Sequence, residues 1–299
     1  MRFGLVILPE ARWAAAAPRW RAVEDMGWDH AWTYDHLVWA GLPEAPWFGA
    51  IPTLTAAAGV THRIGLGTLV ASPNFRHPVP FVSDVLALDD IAAGRTLLGV
   101  GVGGDLDSAM LGEQLTVPDR VDRFVEWTML VGRLLTEDHV DHTGDYYRAA
   151  DARTLPGPYA GAGVPLLVAA NGPRTIRLAA QVGTGWITNG PRGETLEQWW
   201  DGVRVASTRM DQAQRSAGGA GRPFARILSL DTGPFFALRS VGFFEDCVGR
   251  ASELGFTDVV THWPRPDGPY AGDRATMEQV SAEVLPRWQG GTPSTKSAG

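Results

Sequence analysis

The stretch LLVAANGPRTIRLAAQVGTGWIT, residues 166–188, reads as a strand, a turn, a helix and a second strand. Leu166–Ala169 is a short apolar run of strand length. Asn171-Gly172-Pro173-Arg174-Thr175 is turn chemistry leading into a helix, with Pro173 suited to the first turn. Arg174–Val182 has helical character, and Gly185–Thr188 is apolar again. Strand, helix and strand in that order form the repeating unit of α/β folds.

The alternation extends in both directions. Strands are expected at Phe3–Leu8, Ala31–Tyr34, Arg63–Val70 and Thr96–Val102 before the quoted stretch, and at Phe224–Leu230 and Asp258–His262 after it. Helices are expected at Pro18–Met26, Ile51–Ala58, Val79–Ile91 and about Arg120–Leu135, then at about Leu196–Gln214, Val241–Leu254 and Arg274–Leu285. Pro18 suits a first helical turn and Gly27 a stop. Between 137 and 164 the pattern lapses into turns such as Thr143-Gly144-Asp145 and Pro156-Gly157-Pro158, an excursion or hairpin rather than a new domain. Eight alternations on one chain predict an α/β fold, a (β/α)8 TIM barrel forming a single domain over 1–289. The polar tail 290–299 is expected to be disordered. A doubly wound sheet would need a glycine fingerprint in its first turn, and Leu8-Pro9-Glu10-Ala11 is not one.

Composition narrows the function. A chain of 299 residues that is 44% hydrophobic can bury its core without disulfide or metal staples. The single cysteine, Cys247, excludes a disulfide framework and any Cys-rich metal site. A net charge of −7 argues against nucleic acid and anionic membranes as partners. The only lysine, Lys296, lies in the tail, which excludes Schiff-base chemistry on a core lysine. No apolar run approaches the ~18 residues of a membrane span, and the apolar N-terminus is too short for a signal peptide. A soluble, cytoplasmic protein acting on a small molecule is expected.

In such a barrel the chemistry gathers at the C-terminal ends of the strands. Those ends carry Glu10, Asp35-His36, Ala71-Ser72-Pro73-Asn74, Gly101-Val102-Gly103-Gly104-Asp105, Asn171–Arg174, Thr188-Asn189 and His262-Trp263. His36 can give or take a proton near neutral pH, though a satisfied histidine beside a capping aspartate has the same pattern. Glu10, Asp35 and His36 do not make a convincing ligand set, so no metal is assigned. Glycines at 99, 101, 103 and 104 let the backbone approach a flat ring or a phosphate closely. Free N–H groups at 171–175, with Arg174, suit a phosphate, as they suit an ordinary strand-to-helix turn. Trp13, Trp39, Trp47 and Trp263 lie near mouth loops and can wall an aromatic ligand.

Several segments then point to a family: Gly27–Leu37 (with Tyr34-Asp35-His36), Arg63–Val70, Asn74–Pro78, Ala93-Gly94-Arg95, Leu98–Gly103, Gly144–Tyr147, Val164–Pro173 and Ala179–Trp186. In this order and spacing the chain resembles the luciferase-like monooxygenase superfamily, barrels that use FMN or the deazaflavin coenzyme F420. The turns at Ser72–Arg76 and Ala169–Pro173, with Val140–Arg148, look most like the F420-dependent branch that includes glucose-6-phosphate dehydrogenases.

The resemblance implies an F420-dependent oxidoreductase passing a hydride between deazaflavin C5 and a small organic substrate. It implies that Asp35 and Ser72 touch the deazaflavin headgroup, with a non-proline cis peptide near Val70-Ala71 supporting it. Val102, Gly103 and Asp107 would line the other side, and Asn171, Gly172, Arg174 and Thr175 would hold the phosphate or tail. His36 becomes the proton donor or acceptor, with Glu10 and Asp105 as further catalytic candidates. Gly104 stands where the sugar-phosphate branch has a glutamate, and a long segment before the eighth strand is largely absent, so a sugar phosphate is not the expected substrate. An FMNH2-dependent monooxygenase and a non-catalytic cofactor-binding barrel are the alternatives, and a homodimer is the candidate assembly.

Overall fold

Eight parallel strands close into a barrel in the computed structural model, which describes residues 1–161, 163–219, 221–233 and 235–290. In chain order the strands are β1 (Arg2–Val6), β2 (His30–Thr33), β3 (Gly65–Thr68) and β4 (Thr96–Val100), then a hairpin of β5 (Val140–Thr143) and β6 (Arg148–Ala152). The barrel resumes with β7 (Leu166–Ala169), β8 (Gly185–Thr188), β9 (Ala225–Ser229) and β10 (Asp258–His262). Hydrogen bonding runs β1-β10-β9-β8-β7-β4-β3-β2 and closes on β1. The helices are α1 (Trp13–Asp25), α2 (Ala50–Ala58), α3 (Pro78–Ile91), α4 (Leu106–Met110) and α5 (Val117–Leu134). They continue as α6 (Pro173–Val182), α7 (Leu196–Ser216), α8 (Val241–Glu253), α9 (Arg274–Glu283) and α10 (Leu285–Gln289).

The (β/α)8 architecture is the one expected, and the segment at 137–164 holds the antiparallel hairpin β5–β6. Glu126 on α5 fastens that hairpin, accepting from the backbone N–H groups of Asp145, Tyr146 and Tyr147. Two helix starts differ from expectation by more than one residue. Helix α1 begins at Trp13, leaving Pro18 inside it. The preceding run Ala14–Ala17 is the best helix-forming sequence available and carries the helix past the proline. Helix α5 begins at Val117 because Thr116 caps it, accepting from the Asp119 N–H, with Pro118 in the first turn. The short α4 was not anticipated, and residues 291–299 of the expected tail lie outside the described residues.

Two layers of core result. The larger lies between barrel and helices, and a second cluster, including Val6, Trp32, Leu167, Ile187, Ile227 and Val260, fills the barrel itself. Trp32 takes the space that neighbouring strands release at Gly4 and Gly67, where a methyl group would overlap its indole.

At the opposite end from the strand mouths, the indole Nε1 of Trp32 donates to His30 Nδ1 at 2.6 Å. An indole N–H is only a donor, so Nδ1 carries no proton and His30 is a neutral ring donating from Nε2 to Asp258 at 2.9 Å. Arg2 completes the cluster, 2.9 Å from Asp258.

Candidate active site

A cleft of about 890 Å³ opens at the C-terminal ends of the strands. Its apolar floor includes Leu69, Val70, Ala169 and Ile187, and Gly101–Gly104 form one wall. Gly103 has φ +76°, and a Cβ there would collide with Asn74 and Ser72, so only glycine fits. The bond Leu69–Val70 is a non-proline cis peptide, one bond before the place expected.

His36 stands on the cleft wall after β2, with Nδ1 2.7 Å from Asp107 Oδ2. The Asp107 carboxylate is 1% exposed and also accepts from the Leu37 N–H at 2.7 Å. A carboxylate with those contacts takes the Nδ1 proton and leaves Nε2 as the ring atom available to a ligand. Asp107 therefore sits behind His36 as its orienting group, rather than lining the cleft as anticipated.

Other anticipated residues also turn away from the cleft. Asp35 is 1% exposed and forms a two-pronged ion pair with Arg76, at 2.6 and 2.7 Å, so it anchors the loop after β3. Glu10 is held by Arg265, at 3.1 and 3.0 Å, and is not on the cleft wall. Asp105 is exposed at the start of α4. Ser72 is buried behind Gly103 with its hydroxyl unpartnered, and Ala71 is buried in a bridge to Val100. Val70, Val102, Gly103, Asn171, Gly172, Arg174 and Thr175 do line the cleft. Of the tryptophans, Trp39 lines it and Trp47 packs on Trp39 at 6.1 Å; Trp13 and Trp263 do not reach it.

The segment 171–175 opens α6. Gly172 is its N-cap without side-chain capping, so the N–H groups of the first turn are free. Arg174 is paired with Asp122 of α5. Across from it, Arg120 lines the cleft with its Nε–H buried and without a hydrogen-bond partner, and no described carboxylate pairs with it. Sequence reasoning missed Arg120 because an arginine in a first helical turn looks like any solvated one.

The model of the luciferase-like monooxygenase family matches residues 1–231. The chain belongs to that family. Among curated relatives, an F420-dependent glucose-6-phosphate dehydrogenase from Beutenbergia cavernae is 38% identical over 184 residues, 58% of this chain and 52% of the relative. The like-named protein of Mycobacterium tuberculosis is 32% identical over 275 residues, 89% of this chain and 77% of the relative. The match thus spans about half the length of the first of these. A solved structure, an F420-dependent secondary alcohol dehydrogenase in complex with an F420–acetone adduct, superimposes with a TM-score of 0.77 at 19% identity, covering 95% and 98% of the two chains. At that identity the likeness concerns the fold.

In this luciferase-like barrel the cleft is divided by charge. The lining cations, Arg120 and Arg174, both lie at the α5–α6 end, while Tyr34, His36, Trp39 and Tyr270 form an aromatic end without one. Among the described residues, no cluster of three or more His, Cys, Asp or Glu is placed to hold a metal ion, and no helix is long and apolar enough to cross a membrane.

Proposed function

We propose that this protein is an F420-dependent oxidoreductase acting on a small organic substrate. The observation that carries the reading is the cleft's division into an apolar, glycine-walled region and an anion-seeking corner. At Gly104 an added Cβ would meet nothing within 4 Å, and at Gly172 only Thr175 Oγ1 at 3.8 Å, so both glycines leave room beside the wall. Leu69, Val70 and Ile187 offer a surface for a flat ring, and Val102 and Gly103 an edge. The unpartnered Arg120, Arg174 and the free N–H groups of α6 suit a phosphate. The relatives' names agree with this reading.

When bound, the deazaflavin supplies a carbon that accepts or gives a hydride. His36 then holds or moves a proton at Nε2, while Asp107 keeps the ring in the tautomer that frees this atom. The aromatic end shields the reacting atoms from water.

Titration of the purified protein with F420 and with FMN, each alone, tests the proposal. F420 is expected to bind and FMN to bind more weakly; binding of FMN alone would replace the reaction with an oxygenase one. Arg120→Ala is expected to weaken F420 binding by about 1.5–3 kcal/mol, roughly 10- to 100-fold in Kd, through loss of a charge-assisted contact. Arg174→Ala should weaken it less, because Asp122 already engages that guanidinium. Unchanged affinity in the Arg120 variant would place the phosphate elsewhere.

A further inference from the structure

Three aspartate–histidine pairs are built into the barrel and its mouth, His30–Asp258, His36–Asp107 and His262–Asp231, and they differ in what the far ring nitrogen meets. For His30 that nitrogen is closed off by the donor-only Trp32. For His262 it meets a phenol that is itself part of the cleft wall. His262 Nδ1 lies 2.7 Å from Asp231 Oδ2, and the same oxygen accepts from the His262 N–H at 2.8 Å and the Thr261 hydroxyl at 2.9 Å. Asp231 Oδ1 accepts from the Ala237 N–H at 2.8 Å. With its Nδ1 proton committed to this wholly buried carboxylate, His262 presents Nε2 as an acceptor, 2.8 Å from the Tyr34 hydroxyl. Tyr34 in turn lies 3.0 Å from the Tyr270 hydroxyl. Tyr34 and Tyr270 line the cleft, and the dyad lies behind them.

The chain has a direction. Tyr34 donates to His262, Tyr270 donates to Tyr34, and oxygen lone pairs remain at the phenol pair for a ligand's hydroxyl. The Tyr270 ring lies flat on His262, centroids 3.6 Å apart, and parallel to Trp39. Its backbone has φ +63°, uncommon for a bulky side chain. Burial raises both phenol pKa values, that of Tyr270 to about 12, so both remain protonated donors at neutral pH. Neither lining cation is at this end of the cleft.

We propose that the paired phenols of Tyr34 and Tyr270 receive the reacting hydroxyl of an uncharged alcohol, which donates to a phenol lone pair, and that the Asp231–His262 dyad exchanges its proton through Tyr34. The inference rests on the F420 reading for its oxidant. In the oxidising direction the substrate O–H bond breaks and its proton enters the phenol pair, while the Tyr34 proton moves to His262 Nε2. The C–H electron pair leaves as hydride to the deazaflavin, the C=O bond forms, and the imidazolium is balanced by Asp231. Ketone reduction reverses each transfer. Tyr34 and Tyr270 are the catalytic residues for the substrate's proton, which would leave His36 the proton that the deazaflavin takes up or gives back; His262 and Asp231 are positioning residues that act through the phenols.

Calorimetric titration with cyclohexanol and with F420, each alone, combined with single-turnover hydride transfer from cyclohexanol, tests this in the wild type and in Tyr34→Phe and Tyr270→Phe, which keep the rings. Both variants should bind cyclohexanol about 10-fold more weakly, and Tyr34→Phe should transfer hydride about 100-fold more slowly, with F420 affinity unchanged. Wild-type affinity and rate in both variants would overturn the proposal, as would preference for glucose 6-phosphate over cyclohexanol. If F420 fails to bind while cyclohexanol affinity still follows the phenols, the oxygen site stands and the cofactor reading falls.

Discussion

Turnover by a His36→Ala enzyme is expected to fall about 10²–10⁴-fold, the range for a lost general acid or base, while F420 affinity changes far less. The Nδ1 atom of His36 is committed to a buried carboxylate, so the side chain does not depend on a ligand for its orientation. What alanine removes is the free Nε2, the Nδ1 bond to the buried Asp107 and the edge-on ring contact with Tyr34, 6.1 Å away. Single-turnover rates on cofactor-saturated enzyme separate this from a structural role. Lost stability or cofactor binding, with the full hydride-transfer rate per bound cofactor, would make His36 a packing residue.

The largest effect on stability is expected from Asp258→Ala. Its carboxylate is 0% exposed and holds His30, Arg2 and the Thr257 hydroxyl, and leaving the buried His30 N–H without its partner costs about 1–3 kcal/mol. Burial pushes the Asp258 pKa up, but the hydrogen bond from His30, the charge of Arg2 and the hydrogen bond from Thr257 pull it down further, and the net result is a lowered value. A depressed folded-state pKa adds stability above the ordinary carboxylate range of about 4, and that stability is lost as pH falls through the lower folded-state value. Urea unfolding from neutral pH into the acid range should therefore show a wild-type decline that the variant lacks. A cost under about 1 kcal/mol would mean that the cluster does not order the strand ends.

The sequence made the barrel readable where a strand is bounded by strong punctuation. Leu166–Ala169, Gly185–Thr188 and Asp258–His262 have the limits expected, each set off by glycine, proline or a charged turn. Helix starts were less legible where two signals competed, as at the alanine run before Pro18. At the site, the pattern told which residues stand at the mouth but not which way each side chain turns. Asp35 and Glu10 face Arg76 and Arg265, partners distant in sequence, so no spacing rule reveals that their carboxylates are already engaged. Asp107 is a similar case: its partner His36 arrives from another strand. Tyr270 and Asp231 come from loops whose residues carry no periodic signal, and only the fold brings them to His262 and Tyr34.

The fit of Trp32 between Gly4 and Gly67 also bears on how this chain can change over generations. A methyl at Gly4 would also meet the His30 ring, and one at Gly67 the Leu97 carbonyl, so neither is admissible while the indole and its neighbours keep their places. Shrinking the indole first opens a void and strips His30 of the donor that sets its tautomer. Each single step toward a different interior thus passes through a less stable ancestor, and only paired replacements keep stability throughout. Cleft positions such as Gly104 and Gly172 meet no such neighbour. Lineages descending from this barrel can trade substrates readily, while the ring of strands beneath them stays fixed.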